Sequence, residues 1–571
     1  MNEHVTKEKL ITTASAVSVT NIKQRHLLGR TPLDLPLALF LASAFIGLWA
    51  AYDRSLGWPL LATLLGSLAL YLALTWPGFN AAVLRRLAWV LLLVQGALAL
   101  YFITQFNHLG YPVKMGFVSR LGRLTGGAFP AWGAFYPEPN ALATFIEGGL
   151  PLAAGLWLSA RGRWERLAAG LGFALLGYGL LLTASRGSWV AVAACAGLTL
   201  IVWAGRRLSP GRRLAGLATL IGLALAAGVG VVLIGPERVP GLTSALTRGS
   251  DRLELYKNSL HLIRDFPLLG IGLGDTFAMI YSKYILLIPY AYLTYSHNLP
   301  LAIWLNQGLL GLVSFGWMLI AFYRLVAVEV RRGQGIPLFW GGVLGVTAML
   351  VHGLTDAPQY ADSRWVMPVF YALLGLSVAN LCITNPRIPN LRVLNLRKRA
   401  ALVTLLVVAL GIVTVFFLAD TFYANIGAIH HARADLAPAL DDAARQQKLD
   451  QATRYYRRAL EIDGKQPVAH WRLGLIELNA DRFPQAIEHL EIAWSALSDH
   501  RGVQKALGLA YLWDGQLDRA EELLRPLNEV PQELGTWSWW RGEQGQDRLA
   551  AYARELESRL RGTNSEQNGE E

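Results

Sequence analysis

The sequence predicts an all-α, polytopic membrane protein: a transmembrane helix bundle of about eleven spans with a large outer loop and a C-terminal α-helical repeat domain. Three observations carry that prediction. Hydrophobic residues make up 53% of the chain, charged residues only 16%, and the mean hydropathy is +0.34, a balance foreign to water-soluble enzymes. Apolar blocks of spanning length, roughly 20 residues, recur between residues 33 and 419. After Asp420 the composition turns charged and helical and repeats itself at a fixed interval.

Residues 1–30 are polar, with Lys7, Lys9, Lys23, Arg25 and Arg30, and lack a small-residue cleavage site before a short apolar core. They are expected to be a cytoplasmic N-terminal segment ahead of a retained first span. The membrane domain is read over residues 31–420, with blocks near 33–52, 58–76, 87–106, 140–160, 166–184, 187–204, 214–234, 299–323, 336–353, 365–383 and 400–419. With the N-terminus inside, Arg85 and Arg86, Arg161, Arg163 and Arg166, Arg206 to Arg213, Arg324, Arg331 and Arg332, and the run from Arg387 to Arg399 all fall on the cytoplasmic side. That is the positive-inside distribution. The same topology puts residues 107–139, the Ser185-Arg186-Gly187 turn, the outer loop 235–298 and residues 354–364 outside. An odd number of spans then places the C-terminal domain on the periplasmic or extracellular side of the cytoplasmic membrane. Much of the net charge of +12 thus serves orientation, and nucleic acid is not an expected partner. Cys195 and Cys382 sit in separate spans and read as small apolar fillers, not as a disulfide or a metal site.

In the C-terminal part, Ala452, Ala486 and Ala520 share one register, Tyr456, Leu490 and Leu524 a second, and Gly474 and Gly508 a third. The period of about 34 residues marks tetratricopeptide-type helix pairs over residues 430–560. Such a stack forms either a concave surface for a protein or an extended ligand, or a small cap. Residues 561–571, rich in Gly, Asn, Ser, Gln and Glu, are expected to be a disordered tail.

Three segments carry candidate chemistry. In Thr183-Ala184-Ser185-Arg186-Gly187-Ser188, an arginine stands between two apolar helices, where burial at full depth costs about 2.5 kcal/mol or more, and on the side where short loops otherwise avoid positive charge. Arg186 is either snorkelling to the interface or binding an anion. In Ser250-Asp251-Arg252-Leu253-Glu254-Leu255-Tyr256, Arg252 and Tyr256 share a helical face, with a local ion pair to Asp251 or Glu254 as the plainer reading of the arginine. The glycines at 270, 272 and 274 follow no strand and predict a turn, not a phosphate loop. In Tyr295-Ser296-His297-Asn298-Leu299-Pro300, an imidazole sits where the outer loop re-enters the membrane, a polar edge that suits a general base.

These segments, in this order and spacing, resemble the O-antigen ligase and polymerase superfamily, as do Arg123-Leu124-Thr125-Gly126, Pro139-Asn140 and His352-Gly353-Leu354-Thr355-Asp356. The resemblance covers roughly residues 30–420, and C-terminal repeats accompany some members. It implies a membrane glycosyltransferase that transfers or polymerises a glycan from an undecaprenyl-diphosphate-linked donor on the outer face, with inversion and without metal, nucleotide or other cofactor. The acceptor would be a glycan, a lipid or a protein. On that pattern His297 is the catalytic base and Arg186 and Arg252 hold the diphosphate. Arg123, Asn140 and Tyr256 are further candidate substrate contacts. Glu147, two turns beyond Asn140, either serves the site or pairs with an arginine. Members often carry a carboxylate near position 306, where this chain has Asn306-Gln307, and His352 and Asp356 are spaced for a local pair or cap that substitutes for it. Two other readings use the same features: a transporter or flippase for a lipid-linked oligosaccharide, which needs cationic groups along the whole bundle, and an envelope assembly scaffold that recruits a protein partner through the repeats.

Overall fold

The computed structural model describes residues 31–110, 115–133, 135–207, 242–332, 336–384 and 418–567. The expected N-terminal segment, the block at 214–234 and all but the last two residues of the block at 400–419 lie outside these residues. The described chain is helical, with no strand among the described residues. Its main helices are, in chain order, α1 (Asp34–Ala50), α2 (Trp58–Leu74), α3 (Ala81–Gln105), α4 (Gly116–Gly126), α5 (Pro139–Glu147), α6 (Gly149–Leu158), α7 (Arg163–Leu182), α8 (Arg186–Arg207), α9 (Leu242–Asp265), α10 (Phe277–Tyr281), α11 (Leu299–Arg332), α12 (Pro337–His352) and α13 (Met367–Thr384). The C-terminal part follows with α14 (Ala419–Leu436), α15 (Asp442–Ile462), α16 (Pro467–Asn479), α17 (Phe483–Ala496), α18 (Arg501–Asp514), α19 (Leu517–Leu524), α20 (Val530–Glu543) and α21 (Asp547–Gln567).

Among the described residues, six segments are long and apolar enough to cross a membrane: Arg54–Leu74, Ala81–His108, Pro139–Leu158, Arg163–Leu182, Leu299–Val330 and Arg364–Ile383. This is fewer than the eleven expected. The blocks near 33–52, 187–204 and 336–353 do form helices, but their apolar stretches are shorter. At 1.5 Å per residue the 17 residues of α1 reach only about 25 Å, less than a hydrocarbon core of about 30 Å.

Helix starts follow their local chemistry. Asn80 accepts the Val83 amide at 3.0 Å ahead of α3, and Glu138 accepts the Asn140 and Ala141 amides at 3.2 and 2.8 Å ahead of α5, where Pro139 needs no partner for its own nitrogen. In the bundle α12 is central, packing on α6, α8 and α13, while α1 packs on α11 and α2 on α13. Arg85 bonds Ser159 at 3.0 Å and Glu165 at 2.8 Å, gathering the start of α3 and the α6–α7 turn at one end. From there α7 runs 20 residues, about 30 Å, to the Ser185 turn at the other end.

The glycine run is a turn, as expected, and it wedges into a break in α11. Gly308 has φ +67 and ψ −170 inside that helix, and Gly270 has φ +73. A Cβ on Gly308 would lie 2.2 Å from the Leu268 carbonyl oxygen, and one on Gly270 would lie 2.4 Å from that of Leu305. Ile271 donates to the Leu305 oxygen at 2.7 Å and Leu309 to that of Leu268 at 3.1 Å, so the turn supplies the hydrogen bonds that the break removes. Asn306 and Gln307 are occupied in the same joint: Asn306 Oδ1 accepts the Gly274 amide at 2.8 Å, and Gln307 bonds Ser43 at 2.9 Å and Tyr360 at 3.0 Å.

The C-terminal helices pack in successive pairs, α14 with α15, α16 with α17, α18 with α19 and α20 with α21. Ala452, Ala486, Ala520, Tyr456, Leu490 and Leu524 are all fully buried, and a Cβ on Gly474 or Gly508 would lie 2.6 Å from Leu490 or Leu524 respectively. The last helix continues to Gln567, into the stretch expected to be disordered, because i,i+4 pairs such as Glu557 with Arg561 at 2.7 Å carry it onward.

These pairs dock on the segment that runs from α9 to His297. Asp265, at the end of α9, meets Arg472 of α16 at 2.6 Å and accepts from the Trp471 indole at 3.2 Å, with both ionic side chains at 0% exposure. The Arg472 guanidinium also covers the Tyr284 ring at 3.7 Å. Arg264 pairs with Asp499 at 2.7 Å, Arg501 with Glu254 at 2.9 Å, and Lys505 bonds the Leu286 oxygen at 2.7 Å. Arg433 reaches the Trp49 carbonyl at the end of α1. The C-terminal domain therefore sits at the same end of the bundle as α9 and the segment leading to His297. Burial opposes ionisation of Asp265, but the Arg472 guanidinium and the more distant His500 outweigh it and hold the carboxyl below its usual range. Its folded pKa thus lies under the unfolded value of about 3.9, so its contribution to docking is complete above that pH and lost as pH falls through the folded value. Limited proteolysis is expected to leave the domain protected from pH 7 down to about pH 4 and to release it in more acidic buffer.

Candidate active site

The turn after α12 is the keystone of the site. Helix α12 ends at His352, and the next three carbonyls each take a donor from the outer loop or the start of α11. The Gly353 oxygen accepts the Leu299 amide at 2.6 Å. The Leu354 oxygen accepts Asn298 Nδ2 at 2.9 Å and the Tyr256 hydroxyl at 3.3 Å. The Thr355 oxygen accepts the Arg252 guanidinium. Each bond satisfies a backbone group that the helix end leaves open, so the loop and the bundle fix one another.

Asp356 follows directly. Its Oδ1 accepts from the Tyr295 hydroxyl at 2.7 Å, from the Ala357 amide at 2.9 Å and from His297 Nδ1 at 3.1 Å. The carboxylate is 2% exposed and the imidazole 26%, so the acid is sequestered and the base is reachable. Burial alone would push the Asp356 carboxyl up; the hydrogen bonds from His297 and Tyr295 outweigh it and hold the carboxyl below its usual range. An ionised carboxylate can only accept, so Nδ1 carries the hydrogen and Nε2 of the neutral ring keeps its lone pair. The Tyr295 ring lies 4.0 Å from the imidazole, centroid to centroid, and the Tyr256 hydroxyl donates to the His297 carbonyl at 3.0 Å. His297 itself has φ +50, a left-handed conformation that these contacts over-determine. Glu138, the α5 cap, is pushed up by burial, which outweighs its two amide bonds.

The expected ligands distribute unevenly. Arg252, Tyr256 and His297 converge on the 353–356 turn. Arg252 spends one of five guanidinium donors on Thr355, and of the two expected local partners Glu254 is paired with Arg501, while the Asp251 side chain lies outside the described residues. Arg186 begins α8, exposed and without a hydrogen bond or ion pair among the described residues. Its neighbours tie it to the same turn: Ser185 Oγ is 3.4 Å from His352 Nε2, and a Cβ on Gly187 would meet Thr355 Oγ1 at 2.4 Å and His352 Cδ2 at 2.8 Å. Gly187→Ala is therefore expected to lower stability by about 1–3 kcal/mol and to reduce turnover as α8 is pushed off the turn, read by a thermal melt and an activity assay on the same preparation. Asn140 lies half-buried next to Glu138, one turn before Thr144, which contacts His352 Nδ1 at 3.2 Å. Arg123 is exposed on α4, and no contact joins it to the His297 cluster among the described residues.

Two expectations need correction. The His352 and Asp356 side chains do not pair with each other: the Asp356 amide bonds the His352 carbonyl at 3.0 Å, but the carboxylate takes His297 and Tyr295 while the His352 imidazole takes Glu147. Asp356 is the carboxylate that meets His297, and Asn306 is taken up in the break of α11. Glu147 pairs with no arginine among the described residues: its Oε2 is 2.9 Å from His352 Nδ1 and accepts from Ser188, beneath the site and fully buried. Tyr295, Thr355 and Glu138 were not singled out from the sequence. Tyr295 stands two residues before His297, and a phenol at that offset was the available signal.

Residues 171–316 match the family model described as O-antigen ligase. The matched stretch contains Arg186, Arg252, Tyr256, Tyr295 and His297, whereas Asp356 lies beyond it. No curated protein matches the chain.

Proposed function

We propose that this chain is a membrane glycosyltransferase of the O-antigen ligase and polymerase type. It moves a glycan from an undecaprenyl-diphosphate-linked donor to an acceptor hydroxyl on the outer face of the cytoplasmic membrane, with the C-terminal domain, read as tetratricopeptide repeats, on that same side. The observation that carries the reading is the buried Asp356 bonded to Nδ1 of the partly exposed His297, on a turn that also binds Arg252. The similarity of residues 171–316 to O-antigen ligases supports it.

In the reaction the acceptor oxygen bonds to the anomeric carbon from the face opposite the leaving group, and its proton passes to His297 Nε2. The bond between anomeric carbon and diphosphate oxygen breaks, and undecaprenyl diphosphate leaves with the electron pair. Attack from the far face inverts the anomeric centre. Negative charge grows on the diphosphate as that bond breaks, so guanidiniums fixed beside it favour the transition state over the ground state. Arg252, already anchored by one donor, and Arg186, unpartnered among the described residues, are the groups for this role. Asp356 stabilises the imidazolium that forms and keeps the ring in the productive tautomer. Tyr256 holds the His297 backbone, Asn140 faces the sugar end, and Arg123 is left as a contact to the donor farther from the chemistry.

The test is turnover by the purified protein on an undecaprenyl-diphosphate-linked glycan, with a chelator present and no nucleotide. A ladder of lengthening products identifies a polymerase and a single transfer to a lipid or protein identifies a ligase. Movement of the donor across a bilayer without covalent change would favour a transporter and overturn the proposal.

A further inference from the structure

A cavity of about 340 Å³ opens between the loop that leads to His297 and the C-terminal helix pairs. Its size falls within the roughly 300–1,000 Å³ of small-ligand sites. One wall is the loop segment Lys283–Pro289; the other carries Trp513, Trp537 and Trp540 with Asp481 and Arg541. The loop wall is held by Leu287, whose φ of +53 is a conformation leucine seldom adopts, and by Lys505, which bonds the Leu286 oxygen at 2.7 Å.

We propose that this cavity binds the glycan of the acceptor or growing product, a reading that rests on the glycosyltransferase function above. Three features favour a sugar. Arg541 lies over the rings of Trp513 and Trp540 at 5.1 and 5.3 Å and Trp513 is only 5% exposed, so the 39%-exposed Trp540, set at 5.6 Å and 84° to Trp537, is the indole on whose open side the C–H side of a pyranose can lie. Arg541 grips Asp481 through two bonds of 3.0 and 2.9 Å and is itself 8% exposed, while the carboxylate remains 42% exposed, so a charge-compensated pair offers acceptor oxygens to sugar hydroxyls at one edge. The loop wall also leads toward the chemistry: Pro289 is eight residues before His297, at most roughly 28 Å of chain. Between them Tyr290 and Tyr292 stand 61% and 67% exposed, further aromatic faces along the way. An anionic lipid head group finds no comparable complement here, because Lys283 lies 3.7 Å from Asp435 and Arg541 is already paired.

The experiment uses the full-length protein in nanodiscs, in a His297→Ala background so that binding is read without turnover. The probe is the repeat-unit glycan released from the host's own lipid-linked donors by mild acid, titrated against tryptophan fluorescence and followed by saturation-transfer NMR. Saturable binding is expected, weakened at least tenfold by Trp540→Ala and also by Asp481→Asn, with thermal melts verifying that each variant is folded. With His297 restored, Trp540→Ala is expected to raise the acceptor KM while kcat is kept. Equal affinity in Trp540→Ala, no saturable binding at millimolar glycan, or a peptide retained in the cavity in its place would overturn the proposal. If the glycan binds here but the wild type transfers none, the catalytic reading fails and this site stands.

Discussion

Replacing His297 by alanine is expected to lower turnover by about 10²- to 10⁴-fold, the usual contribution of a positioned general base, while leaving donor binding close to wild type. The expectation follows from the division of labour at the 353–356 turn. Arg252 is anchored on the Thr355 carbonyl and Tyr256 on the Leu354 carbonyl, neither through the imidazole. Removal of the ring therefore takes away the proton acceptor and leaves the cationic groups in place. Asp356→Asn is expected to follow the same direction, with kcat falling more than affinity, since an amide can donate to Nδ1 and turn the ring to the wrong tautomer. Steady-state kinetics beside equilibrium binding of undecaprenyl diphosphate separates the two effects.

Breaking the Asp265–Arg472 pair is the second large effect. Both side chains are fully buried, and removing one partner of such a pair strands the other charge, at a cost of about 3–5 kcal/mol. Arg472→Ala is thus expected to loosen the C-terminal domain from the outer loop. Because Asp265 ends the helix that begins upstream of Arg252, faster hydrogen exchange in α9 and reduced donor affinity should accompany the loss. Replacing both together, Asp265→Leu with Arg472→Met, should recover much of the stability, since an apolar pair of similar volume leaves no buried charge. Equal exchange in α9 for wild type and Arg472→Ala would show that the domain does not brace that helix.

The sequence made the helical class, the repeat register and the individual motifs legible, because periodicity and composition are local properties. His297, Arg252 and Tyr256 stood out for the same reason. The partner of His297 did not. A four-residue spacing suggested that Asp356 pairs with His352, and the backbone bond between them does form, but partners distant in the chain, His297 and Tyr295 for the carboxylate and Glu147 for the imidazole, take the side chains instead. Glu147 likewise lost its expected arginine to His352, which is more than two hundred residues away in the chain. The docking of the C-terminal domain was equally hidden, since Asp265 and Arg472 belong to different helices with unremarkable surroundings. Such pairings are set by tertiary packing, and residue spacing carries no trace of them.

On the proposed function a carboxylate-held imidazole takes the acceptor's proton while two guanidiniums from separate stretches hold one diphosphate. This is tested most directly by measuring undecaprenyl diphosphate affinity and glycan transfer together in wild type, His297→Ala, Arg186→Ala and Arg252→Ala. Transfer should collapse in all three variants, with affinity kept in the histidine variant and weakened in both arginine variants. Normal transfer by His297→Ala, or wild-type affinity in both arginine variants, would contradict the account.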